Sequence, residues 1–180
     1  MAVPEAPLER TDHGVVPQGP GWFVVNAREA QWFEHPIFGR FTRFEGDPRF
    51  TEVGINISLL EPGNASCMYH GENAQEDFLV LAGECLLLIE GEERPLKAWD
   101  FVHCPAWAEH VFVGAGSGPC LILAVGARND PEEVIYPVAP VARPYDGSVL
   151  EETTSGEKAY ARFPRTVEQP YQEGDLPDWG

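Results

Sequence analysis

The stretch that decides the fold runs Gly63-Asn-Ala-Ser-Cys-Met-Tyr-His70-Gly-Glu72-Asn-Ala-Gln-Glu76-Asp-Phe-Leu-Val-Leu-Ala-Gly83. It sets one imidazole and two carboxylates among strand-forming residues, and a second imidazole follows in Pro105-Ala-Trp-Ala-Glu-His110. Imidazole with carboxylate is the donor set of a divalent metal site. Along a strand, side chains repeat every second residue, so the spacing aims His70 and Glu72 at the same side.

Outward from this stretch the strand signal continues. Arg40-Phe41-Thr42-Arg43-Phe44 and Val53-Gly-Ile55-Asn-Ile57-Ser-Leu59 alternate, and Glu61-Pro-Gly-Asn64 reads as a turn. Phe78–Leu81, Leu86–Ile89 and Leu121–Val125 are unbroken apolar runs, the pattern of strands covered on both faces. Glu90-Gly-Glu-Glu93 reads as a hairpin tip and Gly114–Pro119 as a second, looser one. Asn26 followed by Glu29 predicts one or two helical turns before Phe33. The proline-rich segment 130–147 predicts a surface crossing, and Glu151–Ala161 a short strand or helix.

The chain has 180 residues, enough for one domain with a real core, and its 18 glycines and 17 prolines favour turns and short strands. An all-β fold follows. The 29 acidic against 12 basic residues give a formal charge of −17, which argues against nucleic acid and against an anionic membrane surface as partners. No run approaches the ~18 apolar residues of a membrane span, and the opening residues lack a basic-then-apolar leader. A cytoplasmic location is expected, with Cys67, Cys85, Cys104 and Cys120 as buried, reduced thiols.

Gly63, His70, Glu76 and Gly83, followed by Asp100, Pro105 and His110, resemble the two motifs of the cupin superfamily, G-x5-H-x-H-x(3–4)-E-x6-G and G-x5-P-x-G-x2-H-x3-N. The resemblance spans about residues 53–126. It implies a cupin-type double-stranded β-helix, or jelly-roll barrel, with residues 1–52 as an N-terminal arm and first strands packing on it and 127–180 as a C-terminal arm. It also implies a homodimer and a small-molecule ligand. The chain departs from the pattern at several places. Gly63 stands one residue farther from His70, Glu72 replaces the second histidine, Trp107 replaces a glycine, Gly114 replaces the last asparagine, and Trp99 stands where glycine is common.

Carried over residue by residue, the resemblance makes His70, Glu76 and His110 metal ligands, with Glu72 either a fourth ligand or a catalytic base. Exchanging a nitrogen donor for a hard carboxylate favours iron, manganese, zinc or nickel over copper(I). The family spans dioxygenases, decarboxylases, isomerases and lyases. A dioxygenase-like or isomerase-like enzyme and a non-catalytic binding or sensor protein, with a structural metal or none, both stay open. His70 and His110 can also serve as pocket histidines without an ion. Period-two parity sends Ser66, Met68, Phe78, Val80 and Phe112 inward and Cys67 and Tyr69 outward. Arg40 and Arg43 are possible partners for a substrate carboxylate at the barrel mouth. Trp22 and Trp32 are possible covers for a second subunit.

Overall fold

The computed structural model describes residues 2–178. Fourteen strands occur in the order β1 Leu8–Thr11, β2 Gly14–Pro17, β3 Trp32–His35, β4 Gly39–Arg43, β5 Val53–Leu60, β6 Gly71–Glu72, β7 Glu76–Ala82, β8 Glu84–Ile89, β9 Glu92–Lys97, β10 Phe101–Cys104, β11 His110–Ala115, β12 Cys120–Ala127, β13 Val134–Ile135 and β14 Val167–Gln169. A 3-10 helix at Pro140–Tyr145 and a short helix α1 at Gly156–Tyr160 complete the set. Among the described residues no helix is long and apolar enough to cross a membrane.

The larger sheet has the strand order β10-β7-β12-β5-β4-β3-β14, and the facing sheet is β11-β8-β9. The segment before β6 runs along β11 through the bridges Ala65↔Val113 and His70↔His110, which widens the smaller sheet. Leu60, Phe78, Val80, Leu87, Phe112 and Ile122 fill the space between the two sheets. The result is an all-β jelly roll of antiparallel strands, as the cupin resemblance implies. Gly83 turns the chain from β7 in one sheet to β8 in the other with φ 76, and a Cβ there would lie 2.3 Å from the Pro119 carbonyl. Gly114 lets the Glu61 carbonyl approach to 2.3 Å of where a Cβ would sit, so the position of the family's asparagine is closed to any side chain here.

Outer faces are covered by the C-terminal part of the chain. Met68, Tyr69, Leu88, Val111 and Val113 pack under Ala139, Ala142, Val149 and Ala159, so the proline-rich segment crosses the surface and buries its alanines against the smaller sheet. Trp32, Leu59 and Leu121 pack under Tyr171 and Leu176. Trp32 is therefore spent inside its own chain and is unavailable to cover a second subunit.

Three further local expectations need correction. Residues 27–29 form a single turn in which the Asn26 side chain accepts from Arg28 N–H, and the chain then enters β3, because Trp32 and Phe33 gain more from pairing with β4 than a short helix offers. Glu90–Gly91 does close the β8–β9 hairpin. Gly114–Pro119 instead carries the chain between sheets, since β11 pairs with β8 while β12 pairs with β5 and β7. The third concerns parity, and it bears on the site described below.

His35 shows how tightly the C-terminal segment is tied on. Its Nδ1 accepts from the Ile37 and Phe38 N–H groups, both at 3.2 Å, which leaves the proton on Nε2 to donate to the Pro164 carbonyl at 2.9 Å. Burial lowers its pKa, against the pull of that carbonyl. The unfolded chain therefore binds the proton more readily than the folded one, so this contribution is complete above pH 6.5 and is lost as pH falls below it. The urea midpoint should drop between pH 7.5 and 5, and the drop should shrink in His35→Asn, which keeps an acceptor and cannot titrate. An unchanged drop would remove His35 as its source.

Candidate metal centre

His70 and His110 meet because their backbones pair. His70 N–H donates to the His110 carbonyl at 3.2 Å and His110 N–H to the His70 carbonyl at 2.8 Å. Directly opposed residues of an antiparallel pair project to one side, and the two rings lie 5.2 Å apart. Each Nδ1 donates to a carbonyl two residues upstream, Met68 for His70 and Ala108 for His110, both at 2.9 Å. Those bonds fix the tautomer and leave both Nε2 lone pairs facing the interior.

Glu76 arrives from the facing sheet, at the start of β7. Its Oε2 lies 3.8 Å from His70 Nε2 and 3.3 Å from His110 Nε2. That oxygen is buried and has no hydrogen-bond partner among the described residues. Two directed nitrogen lone pairs and one orphaned carboxylate oxygen, all within 4.8 Å of one another, form a donor set with room for a cation. This observation fits a divalent metal held by two imidazoles and a carboxylate.

Burial disfavours charge on all three groups, and their pKa values move apart accordingly. Burial, reinforced by the charge on His70, holds His110 down at about 4. Burial also opposes charge on His70, but the Cys67 sulfur and the Glu76 carboxylate outweigh it and raise that pKa. Burial raises Glu76, against the pull of His70. Without a cation, then, the cluster keeps a proton on His70 and a neutral His110.

Glu72 sits on β6, half-buried, with its carbonyl accepting from Trp107 N–H at 2.7 Å. It is not one of the three residues whose donor atoms converge. Burial, then the charge of Glu76, raises its pKa to about 7, against the opposite pull of His70. It thus stands beside the cluster with a carboxyl poised between its two protonation states.

The cluster closes one end of a cavity of about 220 Å³. Phe41, Phe78 and Phe112 line it, together with Asn56, Ser58 and Cys67. Parity places Phe78, Val80 and Phe112 inside, as read from the sequence, but Met68 and Cys67 exchange faces. Met68 packs in the outer cluster, and Cys67 enters the cavity with its sulfur 3.7 Å from His70 Nδ1. The cause is local: residues 66–69 are bend and coil, so the strand period is broken just before His70. Asn56 and Ser58 had a signal in the alternation of β5, but polar residues alternating with isoleucines read first as a solvent face.

Of the remaining candidates only Arg43 is on the cavity face. Arg40 pairs with Asp175 at 3.0 Å and donates to the Pro170 carbonyl, on the face opposite the cavity. Arg43 stands opposite Asn56 across the β4–β5 pair, on the cavity face, and stacks on Phe33, 4.5 Å from the ring centre. His103 pairs with Asp77 at 2.7 Å on the outer face, and His13 lies 4.0 Å from Glu168.

Residues 56–126 match the family model described as Cupin domain. Among solved structures, a sugar phosphate isomerase from a cupin superfamily of Silicibacter pomeroyi is 29% identical, with TM-score 0.47, over 53% of this chain and 62% of that one. A Cupin 2 conserved barrel domain protein from Salinispora arenicola is 24% identical, with TM-score 0.45, over 51% of this chain and 76% of that one. A DMSP lyase from Ruegeria pomeroyi is 22% identical, with TM-score 0.43, over 49% of this chain and 46% of that one. The chain thus spans about three fifths of the isomerase and under half of the lyase. No curated protein matches it. With a jelly-roll barrel, motif residues converging from both sheets and the family match over that stretch, residues 56–126 form a cupin domain.

Proposed function

We propose that this protein binds a small molecule beside a divalent ion held by His70, Glu76 and His110, and that it is an enzyme of dioxygenase-like or isomerase-like type. The observation that carries the reading is the orphaned Glu76 oxygen facing two tautomer-fixed imidazole nitrogens. Iron, manganese, zinc and nickel all suit such a set. A bound ion there supplies Lewis acidity toward a substrate oxygen or, as iron, chemistry with dioxygen. The chain's own part is to orient the ligand between Phe41, Phe78 and Phe112, to keep water out, and to move a proton. We assign that proton to the Glu72 carboxyl, whose pKa near 7 suits a general base. Coordination of the ion by Glu72 is the alternative role for that residue.

The proposal includes a cytoplasmic setting, supported by four free thiols, and a homodimer. The dimer rests on the outer face of the larger sheet. There Phe101, Leu79, Leu123 and Ile57 stand in one row across four strands, with Phe101 65% and Trp99 71% exposed.

The purified chain should carry about one divalent ion per subunit by elemental analysis and scatter light as a particle of twice 19.9 kDa. Stripping the ion with a chelator should stop conversion of any compound that the replete protein consumes, and returning the ion should restore it. A replete protein that binds a ligand stoichiometrically yet converts nothing across a broad metabolite panel would establish the non-catalytic reading. A chain that takes up no ion at all would end both.

A further inference from the structure

β5 carries Ile57 and Leu59 toward the outer face and Asn56 and Ser58 into the cavity. The two histidines project from the facing sheet, so these polar side chains form the wall across the cavity from them. Ser58 Oγ donates to Asn56 Oδ1 at 3.3 Å, which occupies the amide oxygen. Among the described residues the Asn56 amide nitrogen donates to no protein acceptor, and it is not sealed from the cavity. An amide oriented by its neighbour, with its N–H groups free in a chamber that also presents three phenylalanines, is built to meet an acceptor oxygen.

The charge lining is equally selective. No lysine or arginine is among the cavity-lining side chains, whereas the Glu76 carboxylate is, and Arg43, which stands opposite Asn56 on the same face, is stacked on the Phe33 ring. A carboxylate or phosphate at this wall would share the cavity with the Glu76 charge and find no cationic side chain in the lining, whereas a carbonyl or hydroxyl oxygen would be matched by the amide. The volume of about 220 Å³ is below the ~300–1,000 Å³ of drug-sized sites, which limits the ligand to a small molecule.

We propose that Asn56, oriented by Ser58, anchors an uncharged carbonyl or hydroxyl oxygen of the ligand, and that the cavity rejects ligands carrying a carboxylate or phosphate at that end. The proposal refines the small-molecule reading of the same site but does not need the ion. It is tested with benzamide, whose ring suits the three phenylalanines, against the near-isosteric benzoate and against phenyl phosphate, by ligand-observed NMR titration. Each titration uses the protein as purified and after chelation.

Benzamide should bind in both states, and in the chelated protein at least about ten-fold tighter than either anion. Asn56→Leu, similar in size, should weaken benzamide about ten-fold in both states, with metal content and melting temperature unchanged. Ser58→Ala, which removes only the orienting bond, should cost less than Asn56→Leu and should keep the order of the three probes. Equal benzamide affinity in Asn56→Leu and the parent, tighter binding of an anion by the chelated protein, or no benzamide binding at millimolar concentration would each overturn the proposal. Loss of the metal reading with the Asn56 effect intact would leave it standing.

Discussion

His110→Ala is expected to strip the divalent ion from the protein while the barrel stays folded. His110 is one of three convergent donors, 4% exposed at its side chain, and its backbone pairing with His70 does not depend on the ring. Changing residues that merely orient a ligand costs 10–100-fold in metal affinity, so deleting one of three ligands should cost more than ~100-fold. Occupancy should fall from about one ion per chain to background in elemental analysis. A second readout is independent of any activity. At an ion concentration a hundred times its dissociation constant, binding stabilises the parent by about 2.7 kcal/mol, which is about 5–10 °C in melting temperature for a chain of this size. His110→Ala should lose that shift and His70→Ala should lose it too. Full retention of ion and shift in both variants would reduce the cluster to a buried ion pair with a neutral histidine beside it.

The convergence of His70, Glu76 and His110 was legible because its information is local. His70 and Glu76 lie six positions apart around a turn between sheets, and His110 sits at the head of a strand whose partner segment contains His70. What parity could not settle is the stretch where the chain leaves strand geometry. A bend at Ser66 and Cys67 puts the Cys67 and Met68 side chains out of register, and only the tertiary bridge at His70 restores it. The polar wall was hidden for a different reason. In Ile55-Asn-Ile57-Ser-Leu59 the usual inference sends isoleucine inward, but a barrel with a ligand chamber inverts it, placing asparagine and serine inside and the aliphatic row against the C-terminal cover or the sheet's outer face. Long-range covers have no local signal at all. Nothing near Arg40 announces that Asp175 and Pro170 will claim it, a contact set by the return of the chain 130 residues later.

That return makes Trp32 the side chain whose loss should cost the fold most. The ring is fully buried between the larger sheet and the C-terminal segment, its indole N–H donates to the Ala27 carbonyl at 2.9 Å, and Tyr171 tilts against it at 6.1 Å. Arg40 lies 5.8 Å from the ring centre and carries the Asp175 pair, so the indole also supports the strap that closes over it. Trp32→Ala should cost about 3–5 kcal/mol, a large part of a typical 5–15 kcal/mol. Because β14 pairs with β3 beside the same ring, the loss should first appear as proteolysis after residue 164. Trp22 offers the contrast: 52% exposed in the N-terminal segment, it should change stability by no more than about 0.5 kcal/mol when replaced by alanine. Neither residue touches the donors on β7 and β11, so Trp32→Ala below its unfolding midpoint should still bind the ion. Urea unfolding with elemental analysis reads both effects. A cost under about 1 kcal/mol for Trp32→Ala would mean that the C-terminal cover contributes little and that the barrel stands without it.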